Sequence, residues 1–259
     1  MDDEEVGKYW DKNAENWTKL VRLGYDRCRN LINTPAFFKM LPSVKGLKGL
    51  DIGCGEGYNT RMVAKQGADL TAIDISETFI NFAKDLEKAN PLGIKYQIAS
   101  VVELPFPENH FDFIVATMSL MDVANNEKAI AEAFRVLKPG GFFQFSISHP
   151  FATGGWNWER DKNGRKIGLI TKDYFKRVDG EIEEWIFGAA PKEMTNNMEK
   201  FRIPRFHHTL SDWLNILIKI GFILEEFSEP HIEEEMLREH PEEYDSLIAP
   251  LFLIIRCRK

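Results

Sequence analysis

Leu50-Asp51-Ile52-Gly53-Cys54-Gly55-Glu56-Gly57 is the stretch on which the fold turns. Leu47 to Ile52 reads as a short strand running into glycines, and Tyr58 to Gln66 reads as a helix closed by Gly67. Glycines at such a junction let the backbone turn sharply and let a ligand approach with no Cβ in between. The helix that follows directs its first free amides at whatever sits there. Spacing then separates the possible uses of the turn. The dinucleotide fingerprint is G-x-G-x-x-G, but counting from Gly53 puts the third glycine at Tyr58, and counting from Gly55 puts it at Thr60. No Gly-Lys-Ser/Thr follows, so the phosphate-cradling P-loop is absent as well. What stands is G-x-G-x-G with Asp51 just ahead of it.

Downstream, strands and helices alternate. Asp69 to Ile73 reads as a strand ending at Asp74, Ser76 as the N-cap of a helix reaching about Ala89, and Asn90-Pro91 as its stop. Ile94 to Ala99 is the third predicted strand, and Phe111 to Ala116, after the turn-rich Leu104 to Asn109, the fourth. Glu127 to Leu137 is a helix stopped by Pro139-Gly140-Gly141, and Phe142 to Ser148 the fifth strand. Strands joined by helical segments of this length make βαβ units, hence a parallel sheet with helices on both faces. Ligands then bind beyond the carboxyl ends of the strands, at the switch point. Asp74 falls at such an end, roughly 20 residues after the glycines, where an acid accepts the two hydroxyls of a ribose.

Outside this core, residues 1–45 read as a helical arm, with Val6, Tyr9, Trp10, Trp17, Leu20 and Val21 at helical spacing, and with a second helix over Tyr25 to Leu41 that Pro35 should break. Residues 151–205 form an insert rich in aromatics (Trp156, Trp158, Tyr174, Phe175, Trp185, Phe187). Short strands are expected there over Ile167 to Ile170, Tyr174 to Val178 and Glu181 to Phe187, with Asp179-Gly180 as a hairpin turn. Residues 206–259 should complete the core: a helix capped by Thr209 or Ser211 and ended by Gly221, a strand over Phe222 to Phe227, an acidic segment from His231 to Tyr244, and a last strand over Leu251 to Cys257. The expected organisation is thus arm 1–45, ligand-binding core 46–150, insert 151–205 and completion of the sheet 206–259.

Composition narrows the function. The 259 residues carry a net charge of -7, and a surface built to coat nucleic-acid phosphates would be basic. Cys28, Cys54 and Cys257 lie far apart with no CxxC pair, which fits free thiols in a reducing cytoplasm and neither a disulfide framework nor a zinc site. The acidic Met1-Asp2-Asp3-Glu4-Glu5 is unlike a signal peptide, and no apolar run approaches the roughly 18 residues that span a bilayer. A cytoplasmic protein with no membrane partner and no DNA partner is expected.

Taken in order, Gly49 to Gly57, Thr71 to Ser76, Leu104 to Pro107 with Phe111 to Val115, and Arg135 to Gly141 resemble the class I S-adenosylmethionine-dependent methyltransferases, in the broad group whose small-molecule members share this layout. The resemblance covers about residues 46–150, and Leu210 to Phe222 and Tyr9 to Trp17 resemble the family's helix before strand six and its leader. It implies a doubly wound, Rossmann-like, seven-stranded and mostly parallel sheet whose last strand is antiparallel. It also implies S-adenosyl-L-methionine as cofactor and S-adenosyl-L-homocysteine as product. Position by position, Gly53, Cys54, Gly55 and Gly57 form the cofactor loop, with Gly53 and Gly55 facing the methionine part and Asp51 supporting its ammonium. Asp74 takes the ribose hydroxyls, Ile75 packs on the adenine, Ser100 and Val101 meet the adenine edge, and Thr117 and Met118 line the wall near the methionine. The family commonly has Asp where this chain has Ser100, which exchanges a charge-assisted hydrogen bond for a neutral one.

Methyl transfer needs the nucleophile positioned, water excluded and sometimes a proton removed. His149, directly after the fifth strand, is the candidate catalytic base; His207 and His208, where the insert rejoins the core, come next. His231, Glu235 and His240 read as a solvated acidic helix, so no metal is expected. Tyr25 and Arg29 could close over the cofactor carboxylate, and the aromatic insert would make a lid and a dry wall for a small acceptor, or else a homodimer surface. No Asp/Asn/Ser-Pro-Pro-aromatic motif and no Pro-Cys nucleophile occurs, against base methylation in DNA. The expected activity is methylation of an O, N or S atom of a small molecule. The alternatives are a protein or RNA methyltransferase and a non-catalytic S-adenosylmethionine-binding protein.

Overall fold

A computed structural model describes residues 1–152 and 157–259; Trp156, counted above among the aromatics of the insert, lies outside the described residues. The chain opens with helix α1 (Asp3–Arg22), started by a capping box in which Asp2 and Glu5 satisfy each other's amides. A π-turn over Arg29–Asn33 leads into α2 (Thr34–Met40). The expected break at Pro35 does not occur: the helical path runs on, widening into the π-turn just ahead of α2, where the Thr34 amide donates to the Arg29 carbonyl, and Pro35 stands in the first turn of α2. Then come β1 (Lys48–Ile52), α3 (Tyr58–Lys65), β2 (Asp69–Asp74), α4 (Glu77–Ala89), β3 (Lys95–Ile98), β4 (Phe111–Thr117), α5 (Asn126–Val136) and β5 (Leu137–Ser148). Ser76 caps α4 through the amide of Phe79, as its position before the helix predicts.

The insert holds β6 (Trp158–Arg160), β7 (Lys166–Leu169), β8 (Asp179–Trp185), the short α6 (Lys192–Thr195) and β9 (Phe201–Phe206). The core is completed by α7 (Leu210–Ile220), β10 (Ile223–Ser228), α8 (Glu234–Glu239) and β11 (Phe252–Arg258). The main sheet runs β10-β11-β5-β4-β1-β2-β3, seven strands of which β11 alone runs antiparallel to its neighbours. The order reverses between β1 and β4, so the carboxyl ends of these two strands open the crevice in which doubly wound sheets bind ligands.

Strand alternation divides the core between the two faces. Phe113 and Val115 of β4 pack with Phe37, Val63 and Leu70 on one face, while Ile114 and Ala116 pack with Ile130, Ala133 and Leu217 on the other. Gly49 of β1 has no side chain because the ring of Phe113 lies where its Cβ would be, 2.1 Å from Cζ. Two buried polar side chains of β5 anchor the arm: Gln144 donates to the Phe37 carbonyl (2.8 Å) and Ser146 to Asn33 Oδ1 (3.2 Å).

Three local expectations are corrected. Asp179-Gly180 is not a hairpin turn; Gly180, at φ +82°, makes a bulge inside β8, and the partner strand is β9, beyond residues 186–200. Tyr174 to Val178 forms no strand, because its backbone and side chain serve the neighbouring turn: the Tyr174 hydroxyl accepts from the amide of Leu210 and the Val178 carbonyl from the amide of His207. Pro139-Gly140-Gly141 does stop α5, but β5 already begins at Leu137, since Gly140 donates to the Lys259 carbonyl and Lys259 to that of Gly141, zipping the turn-prone residues onto the end of β11.

The arm and the insert meet over the crevice. Leu20 and Val21 of α1 pack with Phe187, Phe201 and Ile203, and the ring of Trp17 sits 4.9–5.6 Å from those of Trp185, Phe187 and Phe201. Asn13 of α1 imitates a strand neighbour to β9, donating to the Arg202 carbonyl and accepting from its amide, both at 3.0 Å. At its other side, Asp11 accepts from the Ser76 hydroxyl (2.8 Å) and the Thr78 amide (2.9 Å). Helix α1 is thereby tied to both the sheet and the hairpin, and the three together enclose a cavity.

Candidate functional site

The turn after β1 forms the floor of this cavity. Gly53 stands at φ +69° with Ser119 packed where a Cβ would go, and the Ser119 hydroxyl donates to the Ile52 carbonyl (2.9 Å), joining the ends of β1 and β4. Cys54 donates its amide to the Ile73 carbonyl of β2, and Gly55 donates its own to Asp74 Oδ2 at 2.8 Å. Asp74 Oδ1 accepts from the amide of Ser76 at 2.9 Å. These two bonds stabilise the carboxylate, yet burial outweighs them and pushes its pKa up to about 6. Gly7 of α1 lies against Ile75, so the side chain after Asp74 is held beneath the arm.

The cavity extends from this loop to the insert, with a volume of about 610 Å³. Of the residues singled out from the sequence, Gly53, Cys54, Gly55, Asp74, Ile75, Ser100, Val101, Thr117 and Met118 line it. Asp51 and Gly57 do not. Strand alternation turns Asp51 under the loop, where Thr60 donates to its Oδ2 (2.6 Å), its Oδ1 has no partner, and burial raises its pKa to about 7. Gly57, at φ +86°, starts α3 behind the loop and leaves space for the Tyr96 hydroxyl, which would stand 2.6 Å from a Cβ. Arg29 lines the cavity beside the glycines, over the face of Tyr58 (4.4 Å) and near Glu56 (3.7 Å), whereas Tyr25 packs into the aromatic cluster of α1 and β9.

The candidate base His149 is a further correction. It points away from the cavity, pairing through Nε2 with Glu229 (3.0 Å) and accepting the amide of Phe151 on Nδ1 (3.1 Å). The 3-10 turn Pro150–Ala152 takes the ring as a cap, so a position after a strand end did not translate into a side chain in the crevice. His207 and His208 do line the cavity. His207 meets the Tyr174 carbonyl through Nε2, which must therefore carry the proton, and its buried Nδ1 has no partner. With the Asn126 amide turned to donate to the Leu120 and Val123 carbonyls, its oxygen accepts from His208 Nε2 at 2.9 Å. Among the described residues no three His, Cys, Asp or Glu side chains gather as a metal site.

The sequence reading passed over the acids at the far end. Asp122, in the 3-10 turn Leu120–Asp122 after β4, and Glu183, on β8, both line the cavity. Burial pushes Asp122 up to about 8, with the negative charge of Glu183 adding to it. A lone acid in the apolar run Ala116 to Val123 was the signal available. Trp10, Trp17, Trp185, Phe187 and Trp213 supply the apolar walls.

The residues fit an adenosyl amino acid: an acid at the end of β2, a turn with glycine at positions 53 and 55, an arginine beside it for a carboxylate, and the apolar pair Ile75 and Val101 for a purine. Residues 50–145 match the family described as "Methyltransferase domain". The "Ubiquinone biosynthesis O-methyltransferase" of Coxiella burnetii is 32% identical over 149 residues, 56% of this chain and 62% of that protein. The "Demethylmenaquinone methyltransferase" of Tropheryma whipplei is 39% identical over 113 residues, 43% and 46%. The chain thus spans less than two thirds of the length of either relative. A crystal structure of an S-adenosylmethionine-dependent methyltransferase from Mesorhizobium loti superposes with a TM-score of 0.70 at 28% identity, covering 87% of this chain and 96% of that one. Among the described residues no helix is long and apolar enough to cross a membrane.

Proposed function

The chain belongs to the class I S-adenosylmethionine-dependent methyltransferases, and from that premise we propose that it methylates an O, N or S atom of a small molecule held at the aromatic end of its cavity. The observation that carries this reading is the single cavity joining the Gly53–Gly55 turn and Asp74 to the walls made by Trp17, Trp185 and Trp213. Small-molecule sites are concave, mostly apolar and provided with a few convergent polar groups. The net charge of -7 and the quinone-related names of two relatives favour the same class of acceptor.

In this reading Asp74 accepts the ribose hydroxyls, Ile75, Ser100 and Val101 surround the adenine, and Arg29 pairs with the carboxylate of the methionine part beside the Gly53–Gly55 amides. Thr117 and Met118 close the wall next to it. When bound, the cofactor supplies a methyl group already activated on a sulfonium. The chain's own part is to orient the acceptor and exclude water, a task that the apolar walls of Trp17, Trp185 and Trp213 favour. Calorimetric titration with S-adenosylmethionine and S-adenosylhomocysteine tests this: both should bind at one site, and a well-folded protein that takes up neither refutes it.

Ser100 offers a finer check. Its hydroxyl only accepts a weak bond from the amide of Val102 (3.4 Å). Ser100→Asp should tighten cofactor binding severalfold, because a hydrogen bond to a charged group exceeds a neutral one by roughly 1 kcal/mol. An unchanged or weaker titration constant would count against Ser100 at the adenine.

A further inference from the structure

We propose that Asp122 is the recognition and proton-accepting group for a protonated amine on the methyl acceptor, so that the substrate class is an alkyl or arylalkyl amine. This rests on the methyltransferase reading above and adds the chemistry of its second substrate.

The geometry carries the proposal. Asp122 follows β4 at the crevice, opens onto the cavity, and meets no side-chain or backbone donor among the described residues. The charged and titratable groups around this end of the cavity are Glu183 of β8, Arg205 of β9, His207 and His208 after β9, and Asp3 of α1. Most are already engaged. Arg205 pairs with Glu183 (3.6 Å), His207 with the Tyr174 carbonyl, His208 with Asn126, and Asp3 with the amide of Ala124. Asp122 is left as an acid without a counter-ion in a cavity that tryptophan rings also line. A carboxylate in such an apolar cavity binds an ammonium through charge, and ring faces in the same cavity offer cation–π attraction to it. The more distant acids, Glu183 and Asp3, bias the same end against anionic acceptors.

The same group solves the chemical problem of an amine substrate, which binds as an ammonium but attacks only as the free base. The N–H bond breaks and its proton passes to an Asp122 carboxylate oxygen. The lone pair freed on nitrogen forms the bond to the methyl carbon, and the electron pair of the broken C–S bond stays on sulfur. Burial brings Asp122 to about 8, close enough to an amine for the transfer to be easy in either direction.

The test uses the whole protein saturated with S-adenosylhomocysteine, titrated by calorimetry with 2-phenylethylamine and with 2-phenylethanol. The amine should bind about 10- to 100-fold more tightly than the alcohol, and Asp122→Asn should abolish that preference. A second readout needs no variant. At pH 7 the free Asp122 is mostly protonated, and an ammonium guest favours its carboxylate, so binding should release close to one proton. That release shows as a different binding heat in phosphate and in Tris, and it should vanish at pH 9. Equal affinity for amine and alcohol, no measurable amine binding, or binding without proton release overturns the proposal. A protein that binds S-adenosylhomocysteine but fails these tests retains the methyltransferase reading with another acceptor; one that does not bind it loses both.

Discussion

Replacing Asp74 by alanine should weaken the binding of S-adenosylmethionine and of S-adenosylhomocysteine at least about a hundredfold while the protein stays folded. Two charge-assisted bonds to ribose hydroxyls are each worth roughly 1.5–3 kcal/mol, and every 1.4 kcal/mol is a factor of ten. The carboxylate has a second task, holding the Gly55 and Ser76 amides at 2.8 and 2.9 Å, so its loss also loosens the turn. Asp74→Asn separates the two contributions: it keeps an acceptor for one amide but removes the charge, and it should fall between wild type and alanine. Binding of the alanine variant within a few-fold of wild type, with an unchanged circular dichroism spectrum, would remove Asp74 from the cofactor site.

The ligand-free protein should be several kcal/mol less stable at pH 8.5 than at pH 5. Asp51 and Asp74 are buried, and their folded-state pKa values are raised from the ordinary 3.8 to about 7 and about 6. A carboxyl whose pKa is raised on folding holds its proton more tightly in the folded chain. Stability therefore falls as pH climbs from the unfolded value through the folded one. Fully ionised, the pair costs roughly 4 kcal/mol for Asp51 and roughly 3 kcal/mol for Asp74. Urea midpoints across this range should drop, and Asp51→Asn, which can still accept from Thr60, should remove about a third of the fall, since Asp122, raised to about 8, loses its proton over the same range. A flat profile, or one that rises with pH, would show that these carboxyls are not buried as described.

The frame of the protein was legible in the chain because its signals are local. A strand ending in Gly53, Gly55 and Gly57, an acid at the end of the next strand, and Ser76 before a helix each act within a few residues, and β1 to β4 fall within a residue or two of their expected limits. The insert was less legible for the opposite reason. β8 finds its partner β9 across residues 186–200, and the turn chemistry of Asp179-Gly180 is spent on a bulge, so nearest-neighbour reading paired the wrong segments. The floor of the cavity was legible from its glycines and Asp74. The far end was not, because Asp122 and Glu183 reach one cavity only through the packing of the insert over the sheet, which no local spacing signals.

Helix α1 has a further consequence, for the way the two ends of the cavity are linked. It is fastened to the sheet beside Asp74 through Asp11 and to the hairpin through Asn13, and Gly24, at φ +84°, lies just past its end. Asp3, Val6, Trp10 and Trp17 of this one helix line the cavity from end to end, so the Asp74 end and the hairpin end share a wall. Any shift of α1 that widens one end therefore moves the wall of the other.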